Sequence, residues 1–309
     1  HIGLPFTILK LKDEEALVVE MGMNHFGEID YLTNIAEPNI AVITNIGTSH
    51  IGNLGSRENI LKAKLEILNS KNIKNVVINN DNDLLHKWYE ENKNKYEIHT
   101  YGIENSSEST AKEISLMEQS SKFTAITDNE KYEITVPVGG EHFVYNALCA
   151  LTVGRVLGLS KKEIENGIKK FELTKKRMEI SKIKDNVTII NDSYNASFDS
   201  MKAALKYLKD IEGERKIAVL GDMLELGSYA EDLHRKVGEE FNKNNIDVLV
   251  TVGELSKNIN NVVNTKENYH FENNKKAEEF LNKELKQGDI ALFKASNGMK
   301  FFEIIEKLK

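Results

Sequence analysis

The chain has very few cysteines, prolines and tryptophans: one, three and one in 309 residues. A single thiol, Cys149, excludes an intramolecular disulfide and fits a reducing compartment, so a cytoplasmic location is expected. No apolar run approaches the roughly 18 residues of a membrane span, and no signal-peptide pattern opens the chain. Repeats of 20 to 50 residues and long low-complexity tracts are lacking as well. Nor is there a basic excess: 41 Lys and Arg against 48 Asp and Glu leave a formal charge of −7. That counts against a nucleic-acid scaffold, although a cleft in an acidic protein can still be basic. A Gly-Lys-Ser/Thr tripeptide, the core of the phosphate loop G-x-x-x-x-G-K-[ST], occurs nowhere. The first residue is His1 rather than Met, which leads us to expect a processed, truncated or incompletely recorded product.

What is present has the length and composition of two soluble domains, each able to bury a core. Leu17 to Val19 with Glu20 reads as a short buried strand ending in a carboxylate. A helix over 28–37, a strand over 40–46, a helix after Ser56, a strand over 76–79, a helix over 83–90 and a strand over 97–101 follow. This βαβ alternation predicts a mainly parallel sheet with helices on its faces. Segments 113–118, 122–127 and 131–136 predict an antiparallel meander, with Asp128 and Asn129 in a turn. Helices over 141–157 and 161–169 close the first half. Around 171–176 the pattern lapses into charge, which places a boundary between 1–176 and 177–309. Beyond it strands at 187–191, 216–220, 248–252 and 290–294 alternate with helices at 200–209, 230–243, 254–263, 275–286 and 299–308.

One lysine stands out. In a helix capped by Ser56, Lys64 has Ile60, Leu61, Ile67 and Leu68 at the i±3 and i±4 positions, all apolar, whereas Lys62 has mostly polar neighbours. An ammonium on an apolar face should have a lowered pKa. His50 follows the strand that ends at Asn45, and Glu20 ends the strand before it; ligands of open α/β sheets gather at such carboxyl ends. A carboxylate and an imidazole suit a divalent cation, and a lysine carbamate formed from CO2 would add an oxygen donor. Ordinary loop positions for Glu20 and His50 and a snorkelling Lys64 fit equally well. Three later turns, Asn191–Asn195, Leu220–Gly227 and Lys294–Gly298, also end strands. They suit a ribose, phosphate or amide, or ordinary helix capping. Asn146, four residues after His142 on a helix, could face a base or satisfy helix-end groups. Arg177, just past the boundary, could reach a phosphate or stay in solvent.

Together these residues resemble the Mur ligases over nearly the whole chain. The motifs are VVEMGMNHFGEID (18–30), PNIAVITNIGTSHIGNLGSRENILKAKLEIL (38–68), GGEHFVYNALCA (139–150), NDSYNASFDSMKAAL (191–205) and IAVLGDMLELG (217–227). Within the family they resemble the member that adds D-alanyl-D-alanine to UDP-MurNAc-tripeptide in peptidoglycan precursor synthesis. The resemblance implies an α/β chain of two tandem domains. The first is an ATPase-type central domain (1–176) without its phosphate loop, and the second a Rossmann-like C-terminal domain (177–309). It implies ATP-dependent amide bond formation with ATP, Mg2+ and a carbamylated lysine, in a monomer that binds no nucleic acid. By motif, Glu20 and His50 are magnesium ligands and Lys64 is the carbamylated lysine, the three catalytic candidates. Asn45 shares their strand-end motif. Asn146 matches the adenine-contacting asparagine, Arg177 the hinge arginine on the phosphates, and Asp192 the ribose-binding residue. Tyr194, Asn195, Asp222, Leu224 and Ser296 fall on the dipeptide side. Two departures follow. Without the phosphate loop this chain alone is expected to be inactive, and Asn297 stands where the family commonly has arginine. Another Mur-type ligase, a folylpolyglutamate synthetase-like enzyme or a degenerate binding module are the alternatives.

Overall fold

A computed structural model describes residues 2–183 and 186–309 and contains two six-stranded sheets. In the first, β1 (Ile40–Ile43), β2 (Asn75–Asn79), β3 (Glu97–Gly102) and β4 (Ser109–Met117) run parallel in chain order. Ala41 pairs with Val76 and Val76 with Ile98. β5 (Ser120–Thr127) and β6 (Glu130–Val136) extend this sheet antiparallel, as the expected meander. Asp128 and Asn129 both have positive φ, 48° and 64°, which a two-residue hairpin turn of the I′ type requires.

Seven helices accompany this sheet: α1 (Gly3–Ile8), α2 (Glu28–Ala36), α3 (Ile51–Leu54), α4 (Arg57–Leu65), α5 (Asp83–Asn92), α6 (Glu141–Val156) and α7 (Lys161–Lys169). The most buried of them, α6, lies across β2 to β5 and buries Phe143, Val144, Ala147, Leu148 and Leu151. Val76, Val77 and Ile78 of β2 are all 0% exposed, so successive residues on both faces of that strand are covered.

The second sheet has β7 (Glu179–Lys182), β8 (Thr188–Asn191), β9 (Arg215–Gly221), β10 (Val248–Val252), β11 (Glu267–Phe271) and β12 (Asp289–Lys294). Their order is β11-β10-β9-β12-β8-β7, and only the β7–β8 pair is antiparallel. Helices α8 (Phe198–Asp210), α9 (Ala230–Phe241), α10 (Lys257–Asn260), α11 (Asn274–Glu284) and α12 (Phe301–Leu308) cover both faces. Successive strand residues separate the two cores. Ile190, Ala218, Leu220 and Leu292 face the core shared with the first sheet through α8, while Ile189, Ile217, Val219 and Phe293 pack on α11 and α12. Among the described residues no helix is long and apolar enough to cross a membrane.

Three expectations need correction. The segment 17–19 forms no strand: Val18 is 86% exposed and no neighbouring chain supplies ladder bonds, so three apolar residues in a row do not suffice. The helix expected over 254–263 shrinks to α10, because Asp222 captures the backbone N–H groups of Glu254 and Ser256 and holds that stretch as a turn. The first strand ends at Ile43 rather than Ile46. Helices α1 and α3 and strands β7 and β11 are additions, the two strands forming the two edges of their sheet, where a half-exposed pattern carries little signal. His1, with its reading as a processed start, lies outside the described residues.

Candidate functional site

The Ser56 hydroxyl accepts a hydrogen bond from Asn59 N at 3.2 Å and starts α4 as expected. Ile60 and Ala63 turn inward, Lys62 is exposed and Lys64 is half-buried. Lys64 Nζ donates to Asn45 O at 2.9 Å, and burial lowers its pKa below the ordinary lysine value; nearby Glu20 works against the drop. The helix stops at Leu65, so Ile67 and Leu68 belong to a tighter turn over Glu66–Asn69. Glu66 there accepts from Gly27 N at 2.8 Å and Asp30 N at 3.1 Å, which ties the start of α2 to the end of α4. That tether keeps the loop that follows Glu20 close to α4, although Glu20 itself is exposed. Asn45 is fixed from its other side by Asn82, whose Nδ2 donates to Asn45 Oδ1 at 2.8 Å.

His50 begins α3 with a φ of 60°. Its Nδ1 lies 2.6 Å from Glu225 Oε2, on the second domain. The rest of this loop is clamped from the same side. Thr48 donates through N (3.0 Å) and Oγ1 (3.1 Å) to Asp199, Gly52 N donates to Glu225 O (3.2 Å), and Tyr229 Oη donates to Gly55 O (2.6 Å). Close approach requires glycine at Gly52, where a Cβ would meet Gly227 N at 2.5 Å, and favours it at Gly47, where a Cβ would meet the side-chain Oδ2 of Asp199 at 2.5 Å.

The three turns singled out in the second half follow β8, β9 and β12, which are neighbours in the sheet, so they share one edge. Tyr194, Asn195, Leu224 and Ser296 join His50 around a cavity of about 270 Å³ between the domains. Ser296 is 4% exposed and its Oγ accepts from Leu224 N at 2.9 Å, which binds two of the turns together. Asp222 does not line this cavity. Its carboxylate accepts from Ser256 N (2.7 Å) and Glu254 N (3.2 Å) behind the wall. Arg177 is exposed, with its guanidinium carbon 4.1 Å from the Tyr194 ring centroid, a cation–π stack that holds it beside the cavity.

Asp192 is engaged by Lys294, a lysine only 2% exposed, whose Nζ donates to Asp192 Oδ2 at 2.5 Å and to Asn195 O at 3.1 Å. Their charges reach His142 at the start of α6. Burial pushes His142 down to about 4, Asp192 opposing and Lys294 adding to the drop. Asn146 sits one turn further along α6, exposed, with its side chain on the solvent face.

Sequence reasoning passed over three residues. In the sequence Glu225 and Lys294 stand only as members of the strand-end turns 220–227 and 294–298. His234, 0% exposed, accepts from Met223 N through Nε2 (2.9 Å) and reaches Ala230 O through Nδ1 (2.6 Å). It is therefore a neutral imidazole that supports the Leu224 turn, and burial lowers its pKa. A histidine on the apolar face of a helix was the available signal.

Two α/β domains closed over a polar cavity, with side chains drawn from strand carboxyl ends on both sides, define a cleft protein of the two-domain α/β class. The Mur ligase middle-domain family matches residues 1–154 and the Mur ligase glutamate ligase domain family matches residues 176–297. The chain is 38% identical to the UDP-N-acetylmuramoyl-tripeptide–D-alanyl-D-alanine ligase of Bacillus subtilis, covering all of this chain and 67% of that protein. A crystal structure of MurF from Acinetobacter baumannii superposes with a TM-score of 0.91 at 29% identity, over 99% of this chain and 67% of that one. MurF ligase from Thermotoga maritima, solved in complex with ADP, gives a TM-score of 0.86 at 27% identity, over 99% and 70%. This chain belongs to the Mur ligase family, and it spans about two thirds of the length of these relatives.

Proposed function

We propose that this chain forms the metal-side and acceptor-side walls of an ATP-dependent ligase that joins D-alanyl-D-alanine to UDP-MurNAc-tripeptide, a cytoplasmic step in peptidoglycan precursor synthesis. The observation that carries this reading is the convergence of His50, Tyr194, Asn195, Leu224 and Ser296 on one cavity between the domains. In such a reaction the tripeptide carboxylate attacks the γ-phosphate of ATP and ADP leaves. The dipeptide amine then adds to the acyl-phosphate carbonyl, loses its proton, and phosphate departs.

Among the described residues no group of three or more His, Cys, Asp or Glu is placed to hold a metal ion. A magnesium ion commonly takes only one or two protein donors and completes its shell with water and substrate phosphates, so the Glu20 carboxylate and His50 Nε2 fit it. When bound, it would screen charge on the phosphate oxygens. The lowered pKa of Lys64 raises its neutral fraction, and that amine adds CO2, releasing a proton, to give a carbamate beside Glu20. Asn45 holds Lys64 in place through its carbonyl oxygen. Asn146, on the solvent face of α6, takes the adenine. Arg177, stacked on Tyr194, meets phosphate oxygens. Asp192, steadied by Lys294, offers its carboxylate to the ribose. Tyr194, Asn195, Leu224 and Ser296 shape the dipeptide pocket, and Asp222 fixes that pocket from behind.

The test measures phosphate release from ATP with UDP-MurNAc-tripeptide as donor. D-alanyl-D-alanine, single amino acids and, separately, a folate substrate with glutamate are the competing arms, in a protein extended to the relatives' length. Release that depends on the dipeptide is expected, and dependence on another acceptor refutes the assignment. The 309 residues alone, with no Gly-Lys-Ser/Thr to cradle the β- and γ-phosphates, are expected to release none. Isotope-labelled bicarbonate should give a carbamate NMR signal that is lost in Lys64→Ala.

A further inference from the structure

A short turn of the second domain controls the histidine of the first. Glu225 carries a φ of 65° and His50 one of 60°, two non-glycine residues in the left-handed region that face each other across the domain boundary. Such backbones persist where their surroundings hold them. Here the surroundings are mutual: the Glu225 carboxylate meets His50 Nδ1 at 2.6 Å, and the Glu225 carbonyl accepts from Gly52 N two residues further on. An ionised carboxylate only accepts hydrogen bonds, so this contact requires the imidazole proton on Nδ1. Nε2 then keeps its lone pair, and among the described residues no protein group engages it. A divalent cation would bind through such a free nitrogen, and a carboxylate on the opposite ring nitrogen is the usual device for presenting it. The opposite tautomer would place a proton where the cation must go.

We propose that Glu225 is a positioning residue that couples closure of the two domains to the tautomer of His50, so that the imidazole offers Nε2 part of the time in the open state and throughout in the closed one. The proposal deepens the ligase reading of the same cleft and rests on it for the purpose of the device. With the cleft open, His50 loses its acceptor and the ring proton is shared between both nitrogens. With it closed, the proton is held on Nδ1.

The experiment is ring-nitrogen NMR of His50 in the 309-residue protein, well above the ordinary imidazole pKa of about 6.5, combined with distance measurements between labels on the two domains. Wild-type protein should show a protonated Nδ1. Glu225→Ala should show the mixed tautomers of a free imidazole and lower the closed-to-open ratio roughly two- to twelvefold, the range for one lost hydrogen bond. A proton on Nε2 in the wild type or an unchanged tautomer in Glu225→Ala overturns the proposal. None of these readouts needs turnover, so the coupling can fail while acceptor-dependent phosphate release stands, and the reverse.

Discussion

Replacing Gly52 by alanine should open the cleft without weakening either domain. A Cβ at this position meets Gly227 N at 2.5 Å and Glu225 O and Leu226 C at 2.6 Å, all backbone atoms of the second domain. Carbon contacts settle at about 3.5–4.0 Å, so the two backbones must part by about 1 Å. Inside its own domain the substitution is benign. Gly52 lies within α3 and has no positive φ, and alanine there restricts the unfolded chain, a gain of about 0.4–1 kcal/mol. Across the cleft the separation breaks the Gly52 N to Glu225 O bond and loosens Tyr229 Oη to Gly55 O and the His50–Glu225 pair. The two hydrogen bonds contribute about 0.5–1.5 kcal/mol each and the half-exposed pair under about 1 kcal/mol. The closed state thus loses about 1–4 kcal/mol, a drop of roughly 5- to 1000-fold in its population relative to the open one. Small-angle scattering or energy transfer between labels on the two domains reads the opening, and thermal unfolding reads the stability. Gly47→Ala is the control: its clash is with the mobile end of Asp199, which can swing aside, so a smaller opening is expected. An interdomain distance in Gly52→Ala equal to the wild type, with both domains folded, would refute the reasoning.

Removing the cation from the buried pair in Lys294→Met leaves Asp192, among the described residues, with Met178 N as its side-chain partner and should lower the unfolding free energy by about 3 kcal/mol in urea titration; a loss under about 1 kcal/mol would show that the pair is not coupled. Acid should weaken the fold through His142. Its folded pKa of about 4 lies below the unfolded value of about 6.5, so the unfolded chain binds the proton first and stability falls as pH drops between those values, by up to about 3 kcal/mol. Asp192, Lys294 and Glu141 are the charges acting on it, buried His234 adds a change of the same sign, and a His142→Asn variant should flatten the curve in that window. Ser56→Ala removes the cap of α4 and should cost about 1 kcal/mol in thermal or denaturant unfolding.

Local chemistry was legible because it acts over one or two turns. The Ser56 cap, the Asp128-Asn129 hairpin, the apolar face that buries Ile60 and lowers the Lys64 pKa, and the run Val248–Val252 as β10 all follow from residues close in the chain. The same holds for the βα alternation, since periodicity reports which face of an element meets a core. What depends on pairing was not legible. Leu17 to Val19 carries a strand composition but finds no ladder partner, and β11 carries a weak one yet pairs along β10. The three turns that carry the proposed acceptor wall read as strand ends, and Tyr194, Asn195, Leu224 and Ser296 within them were picked out by the family resemblance, but β12 inserts between β9 and β8, and only that order sets the three turns side by side. Side-chain direction was likewise decided in space: Asp222, two residues from Leu224, turns behind the wall, and Lys294 turns inward to Asp192. The sequence alone therefore determined most of the elements, the Ser56 cap and the residue types at the cleft. The tertiary structure alone decided that Glu225, 175 residues away, holds His50, because a hydrogen bond between domains leaves no periodic trace in either segment.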